Sequence, residues 1–256
     1  MFTGIIFGED SSVNSSFLSK KSIPVRERLI FPLDVATHAE AKQLVNRLGN
    51  SIIFYKLGLQ IFMAEGSYYE LIDWLTENGK KVFVDLKFYD IPETVGSAVC
   101  QLRNKNVEFA TVHGADANFQ AAVKQRNGIK ILAVTALTSL DQTDLNDLGF
   151  SCSVEELVLS RARRALDLGC DGVISSGLEA AKLREHLGDK FLIISPGIRP
   201  LENRQIDDQK RIMTVEEAFN NGADYIVIGR PIRNASDPKS EAEKTQAKIA
   251  NIFGQT

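Results

Sequence analysis

The chain of 256 residues is 44% hydrophobic and 25% charged, with a formal charge of −3 and a pI near 5.7. That composition suits a full hydrophobic core at the length of a single α/β barrel, and it argues against a generally basic nucleic-acid binder while leaving room for a local anion site. Three widely separated cysteines, Cys100, Cys152 and Cys170, form no Cys-x-x-Cys or Cys/His cluster, which points to reduced thiols and no metal.

The first 25 residues lack a basic start and an apolar core, carry Glu9 and Asp10, and include the run Ser11-Ser12-Val13-Asn14-Ser15-Ser16. This fails the signal-peptide pattern and reads as a flexible arm, residues 1–25, ahead of one domain, 26–256. No apolar run approaches the roughly 18–20 residues that span a bilayer. A cytoplasmic protein with neither a membrane nor a nucleic acid as partner is expected.

From Arg28 onward, apolar runs alternate with helical patterns. Leu29-Ile30-Phe31-Pro32-Leu33 ends at Asp34, and Thr37-His38-Ala39-Glu40 then has capping-box spacing. Ile52-Ile53-Phe54-Tyr55 ends at Lys56, and a helix around Tyr68–Leu75 stops at Asn78-Gly79. Val82-Phe83-Val84 leads into Asp85, Lys87 and Asp90. Phe109-Ala110-Thr111-Val112 ends at His113-Gly114, and Ile129–Val134 ends in a loop with Thr138. A capping box at Ser153–Glu156 opens a long helix, followed by strands at Gly172–Ile174 and Phe191–Ile194. A last capping box, Thr214–Glu217, precedes Tyr225-Ile226-Val227-Ile228, which ends at Gly229-Arg230. Eight strands, each followed by a helical segment, match a single-domain α/β fold, a (β/α)8 TIM barrel. A doubly wound open sheet has the same alternation, because sequence does not display closure.

The polar residues have a direction. Asp34, Lys56, Asp85, Lys87, His113, Thr138 and Arg230 all fall at or just after the C-terminal ends of strands, the face on which barrel binding loops gather. A period of two places Asp85 and Lys87 on one strand face. With Lys56 and Asp90 they form an alternation of unlike charges that keep each other ionised. At about 4 Å and an effective dielectric near 20, each contact is worth roughly 4 kcal/mol before desolvation. A buried salt-bridge network satisfies the same charges, so the pattern alone leaves a structural network and a proton-transfer site both open.

Gly229-Arg230 after a strand suits an anion, since glycine admits backbone N–H groups and a guanidinium binds phosphate bidentately. The loop 197–209, with Arg199, Arg204 and Gln209, has the composition of a lid over phosphate, and equally of a polar surface loop. His113 reads as a structural histidine, His38 and His186 as surface residues, and no His-Glu-x-x-His or Gly-x-Gly-x-x-Gly is present.

The stretch Asp85-Leu86-Lys87-Phe88-Tyr89-Asp90-Ile91-Pro92-Glu93-Thr94 closely resembles the signature of the orotidine 5′-phosphate decarboxylases. So do Leu33-Asp34, Tyr55-Lys56, Leu137-Thr138-Ser139, Pro196-Gly197-Ile198-Arg199, Asp208-Gln209 with Arg211–Thr214, and Ile228-Gly229-Arg230-Pro231. These matches run in order from about residue 28 to 238. Glu93, Ser195 and Asp207 depart from the usual motif, at positions without assigned chemistry.

The resemblance implies decarboxylation of orotidine 5′-monophosphate to uridine 5′-monophosphate, the last step of de novo UMP synthesis, with no cofactor and no metal. By that resemblance, Lys87 is the proton donor to the carbanion at pyrimidine C6, and Asp85 lies beside the departing carboxylate and orients the lysines. Lys56 and Asp34 hold ribose hydroxyls, with Lys56 also in the charge array. Thr138 contacts the pyrimidine and Pro196 packs near it. Arg199, Gln209, Gly229 and Arg230 bind phosphate. The resemblance further implies a homodimer in which Asp90 and Thr94 reach into the neighbouring subunit's site, so that a monomer is nearly inactive. The Asp-x-Lys-x-x-Asp core is shared with metal-dependent sugar-phosphate lyases, which form one rival reading; a non-catalytic phosphate-binding barrel forms the other.

Overall fold

The computed structural model describes residues 17–199 and 213–254. Eight strands run in chain order: β1 (Leu29–Pro32), β2 (Phe54–Leu57), β3 (Lys81–Phe88), β4 (Val107–Val112), β5 (Lys130–Val134), β6 (Gly172–Ile174), β7 (Leu192–Ser195) and β8 (Tyr225–Val227). Every neighbouring pair is parallel, and β8 pairs back onto β1 through Leu29–Ile226 and Ile30–Val227, closing the barrel. The expected TIM barrel is therefore present, and the open sheet is excluded.

The helices fill the connections. α1 (His38–Leu48) follows β1; α2 (Leu59–Phe62) and α3 (Tyr68–Glu77) follow β2; α4 (Pro92–Cys100) follows β3. α5 (Asp116–Gln125) follows β4, and α6 (Gln142–Asp147) with α7 (Val154–Asp167) follows β5. α8 (Gly177–Leu187), α9 (Val215–Asn220), α10 (Arg230–Arg233) and α11 (Pro238–Ile252) complete the ring. The caps read from sequence lie where expected. Thr37 Oγ1 accepts from the Glu40 N–H, and Ser153–Glu156 and Thr214–Glu217 form reciprocal capping boxes, each satisfying backbone donors that the first helical turn leaves open. Gly79 ends α3 in the left-handed region at φ +69°, which glycine adopts without steric cost.

Two apolar layers hold the fold. The outward side chains of the strands meet the helices in one continuous core. Inside the barrel, Ile30, Phe54, Phe83, Phe109, Leu132, Ile194, Tyr225 and Val227 form a separate buried plug. Its aromatic rings meet edge-on or tilted, with Phe54 and Phe109 centroids 5.1 Å apart, a favoured geometry for ring quadrupoles. Because side chains alternate along a strand, the next inward positions above this plug are Pro32, Lys56, Asp85, Thr111 and Val134. The plug is the floor of the site.

At the opposite end, the segment before β1 is fastened down. The Phe17 N–H donates to the Asn220 carbonyl, and Asp224, fully buried, accepts from Ser19 Oγ, Lys21 Nζ, Arg184 Nη2 and the Ile193 N–H. Residues 17–25 of the expected arm thus lie against the barrel, because a buried carboxylate needs several donors. Residues 1–16 fall outside the described residues. Among those described, no helix is long and apolar enough to cross a membrane.

Candidate active site

β2 begins at Phe54, two residues later than its apolar run suggests. Pairing with β1 starts at Ile30–Phe54, so Lys56 lies within the strand and shares the inward face of Phe54. β3 likewise continues to Phe88, which places Asp85 and Lys87 inside the strand rather than at its end. Hydrophobic runs mark burial, whereas strand limits follow pairing. Inward charges extend these strands because they find partners in each other.

Those partners surround Asp85. Its Oδ1 accepts from Lys87 Nζ at 2.9 Å and from the Thr111 hydroxyl at 2.9 Å, while Oδ2 lies 3.0 Å from Lys56 Nζ. Lys56 Nζ also lies 3.7 Å from Asp34 Oδ1. Burial pushes the Asp85 carboxyl up, but the two ammonium groups outweigh it and hold the pKa down at about 2. For Lys56, burial favours the neutral amine, and Asp85 with Asp34 reverses this and raises the pKa above the usual value. Both groups are therefore charged at neutral pH, in a site where a charge without a partner would be costly.

Lys87 does not reach this position by plain alternation. Its φ is +49°, a left-handed conformation that costs a non-glycine residue about 1–3 kcal/mol. The register with β4 passes from Val84–Ala110 to Phe88–Val112, so three residues of β3 face Thr111 alone. The Lys87 N–H donates to Thr111 Oγ1 at 2.9 Å. Here a bulge re-aims a functional side chain.

These groups line a cavity of about 300 Å³ at the C-terminal mouth of the barrel. Asp34, Lys56, Asp85, Lys87, Thr138, Pro196, Arg199, Gly229 and Arg230, nine of the twelve expected site residues, are brought together there. Apolar residues of the plug, Phe83, Ile194 and Val227, face the same space. A Cβ on Gly229 would lie 2.7 Å from Pro32 Cγ, so only glycine fits between that proline and the cavity. Arg199 is buried; its backbone N–H donates to the Met213 carbonyl, and a bridge joins Ile198 to Met213.

Three expected site residues are not placed in the cavity. Asp90 and Thr94 are exposed, on the loop after β3 and the first turn of α4. Gln209 and Arg204 lie outside the described residues. His113 is half-buried and stacks on Tyr89 with ring centroids 5.4 Å apart, while its Nδ1 accepts from the Gly114 N–H. It does not line the cavity.

Sequence reasoning missed three contributors. Thr111 holds Asp85 and Lys87; its only signal is a hydroxyl on the inward face of an apolar strand. Arg233 lines the cavity and donates to the Asp34 carbonyl; its signal is spacing of three from Arg230, one helical turn. Buried Asn118 donates to the Asp90 carbonyl at 2.5 Å and accepts from the Ala115 N–H, tying the Asp90 loop to α5. Among the described residues, no group of three His, Cys, Asp or Glu side chains is placed to hold a metal.

A family model described as orotidine 5′-phosphate decarboxylase / HUMPS family matches residues 27–245. The chain belongs to this family. It is 59% identical over 238 residues to a protein named orotidine 5′-phosphate decarboxylase from Methylococcus capsulatus, covering 93% of this chain and 98% of that one. A protein of the same name from Nitrobacter winogradskyi is 47% identical over 230 residues, covering 89% and 95%. The crystal structure of orotidine 5′-phosphate decarboxylase from Lactobacillus acidophilus superposes with a TM-score of 0.76 at 35% identity, covering 87% of this chain and 99% of that chain. The resemblance drawn from the Asp85–Thr94 stretch is thus borne out at the level of family, barrel and enzyme class.

Proposed function

We propose that this enzyme converts orotidine 5′-monophosphate to uridine 5′-monophosphate and carbon dioxide through its own lysine and aspartate charges, without a cofactor. The observation that carries the reading is Asp85, ionised between Lys56 and Lys87 on the floor of the cavity. Loss of carbon dioxide breaks the C6–carboxylate bond and leaves the electron pair on C6, where the ring offers no sink. An ammonium held in advance at that point stabilises the developing anion without reorganising. Lys87 then delivers its proton to C6 and recovers one from water.

The other roles follow the geometry and the family pattern. Asp85 orients both lysines and lies beside the leaving carboxylate. Asp34 and Lys56 take ribose hydroxyls, Thr138 meets the pyrimidine, and Pro196 packs against it. Arg199, Gly229 and Arg230 form the phosphate end, and sequence alone adds Gln209 to it. Asp90 and Thr94 are assigned to the neighbouring subunit's site in a homodimer. Exposed Tyr89 and Ile91, at 71% and 66%, support contact at that loop. A cytoplasmic location belongs to the same proposal.

The deciding assay is carbon dioxide release from orotidine 5′-monophosphate, with and without chelator, by the wild type and Lys87→Ala. Release is expected in the wild type, unaffected by chelator. It is expected to be abolished in Lys87→Ala while uridine 5′-monophosphate still binds. Chelator sensitivity would instead mark a metal-dependent lyase, and binding without release a phosphate-binding barrel.

A further inference from the structure

Thr111 stands on the inward face of β4, two residues beyond Phe109 of the apolar plug, and is fully buried. A hydroxyl taken out of water there is costly unless it is bonded. It makes two bonds, both across to β3. Its oxygen accepts from the Lys87 N–H at 2.9 Å, and its proton goes to Asp85 Oδ1 at 2.9 Å. At this point the β3–β4 ladder has lost its register, with Asp85, Leu86 and Lys87 facing a single residue. The threonine hydroxyl takes the Lys87 N–H where an ordinary rung would offer a carbonyl. A carbonyl could only accept; a hydroxyl also donates, and so links the backbone of one site residue to the carboxylate of another.

We infer that Thr111 is a positioning residue whose hydroxyl locks the β3 bulge, holding Lys87 left-handed and Asp85 Oδ1 in line with its ammonium. The inference rests on the decarboxylation proposed above, in which the place of the Lys87 Nζ governs the rate. Thr111 does not meet the reacting atoms; it acts through Lys87 and Asp85. Its hydroxyl cannot be replaced by shape alone. Valine fills the same volume but leaves the Lys87 N–H without an acceptor and Asp85 Oδ1 short of a donor, so the strained φ of +49° loses the bond that sustains it.

The test compares Thr111→Val and Thr111→Ser with the wild type for kcat, KM and affinity for uridine 5′-monophosphate. Thr111→Val is expected to lower kcat by about 10- to 100-fold, the scale of a misplacement near 1 Å, with KM and nucleotide affinity little changed. Thr111→Ser, which keeps the hydroxyl, is expected to recover most of the loss. Wild-type kcat in Thr111→Val would overturn the inference, as would an equal fall in both variants. Loss of nucleotide affinity together with kcat would also overturn it, because the residue would then serve the fold in general. If Thr111→Val fails to fold, Thr111→Ala carries the same comparison against Thr111→Ser. Absence of release by the wild type would sink the proposed reaction and not this inference. A crystal structure of the variant then decides: Lys87 kept at positive φ with Nζ on Asp85 would overturn it.

Discussion

Asp85 is a buried acid that remains ionised because each of its oxygens meets an ammonium group. Its pKa falls from an ordinary 3.8 to about 2. A depressed acid stabilises the fold fully above its unfolded value, and that contribution disappears as pH falls through the folded value. Lys56, shifted upward, behaves oppositely, and its contribution is lost only in strong base. Between about pH 5 and 9 both stay charged. Urea unfolding of the wild type should therefore lose about 2 kcal/mol through Asp85 between about pH 4 and 2. Asp85→Asn should lack that component, and parallel curves for the two proteins would refute the assignment. Arg230 faces the cavity from the first residue of α10, beside Gly229. Arg230→Ala should raise KM for the phosphorylated substrate by about 10- to 100-fold, the cost of one charge-assisted bond, with little effect on a nucleoside lacking phosphate. An unchanged KM would remove Arg230 from the phosphate site.

At the scale of elements, β3 differs from its neighbours. It has eight residues, against three to six in the other strands, and its second half carries Asp85, the bulge and Lys87. The Asp90 loop and α4 then run on without a break, so one segment passes from cavity floor to exposed surface. Asn118, at the start of α5, ties the turn of that segment. The far side of the barrel is tighter. A Cβ on Gly172 of β6 would lie 2.4 Å from the Leu192 carbonyl oxygen of β7. Because that neighbour is backbone, the strands would have to part. Gly172→Ala should lower the urea midpoint by the equivalent of about 1–3 kcal/mol with an unchanged slope. An unaltered midpoint would show that the β6–β7 contact gives way at no cost.

At the scale of the molecule, closure of the barrel makes one site from residues that are distant in the chain. β1 pairs with β8, which brings Gly229, Arg230 and Arg233 beside Pro32 and Asp34. Asp90 and Thr94 are exposed and do not line their own cavity, and the proposed dimer gives them a role in a neighbour's. Under that proposal the two halves of the Asp85–Thr94 stretch serve two different sites. Lys87→Ala and Asp90→Ala, each nearly inactive, should then complement when mixed and reassembled. Random pairing makes half of the dimers mixed, and one of two sites in each is complete, so about a quarter of wild-type turnover should return. No recovery in confirmed mixed dimers would place Asp90 outside the neighbour's site.

Much of this was legible in the residues themselves. Alternating apolar runs and helical stripes are local consequences of side-chain periodicity, so eight strand–helix units, three N-terminal caps and the Gly79 stop could be read directly. So could Lys56, Asp85 and Lys87, since charges inside buried strands are conspicuous where desolvation is costly. Closure could not be read, because an open sheet and a barrel share the same local alternation and differ only in whether β8 meets β1. Strand limits at Lys56 and beyond Asp85 also depended on partners, since a strand ends where pairing ends. Thr111 was hidden for the same reason. A threonine in an apolar run carries no mark of what lies opposite, and only the lost register between β3 and β4 sets its hydroxyl against Lys87 and Asp85. Chemical type was written along the chain; which charge meets which partner was decided by the register of neighbouring strands.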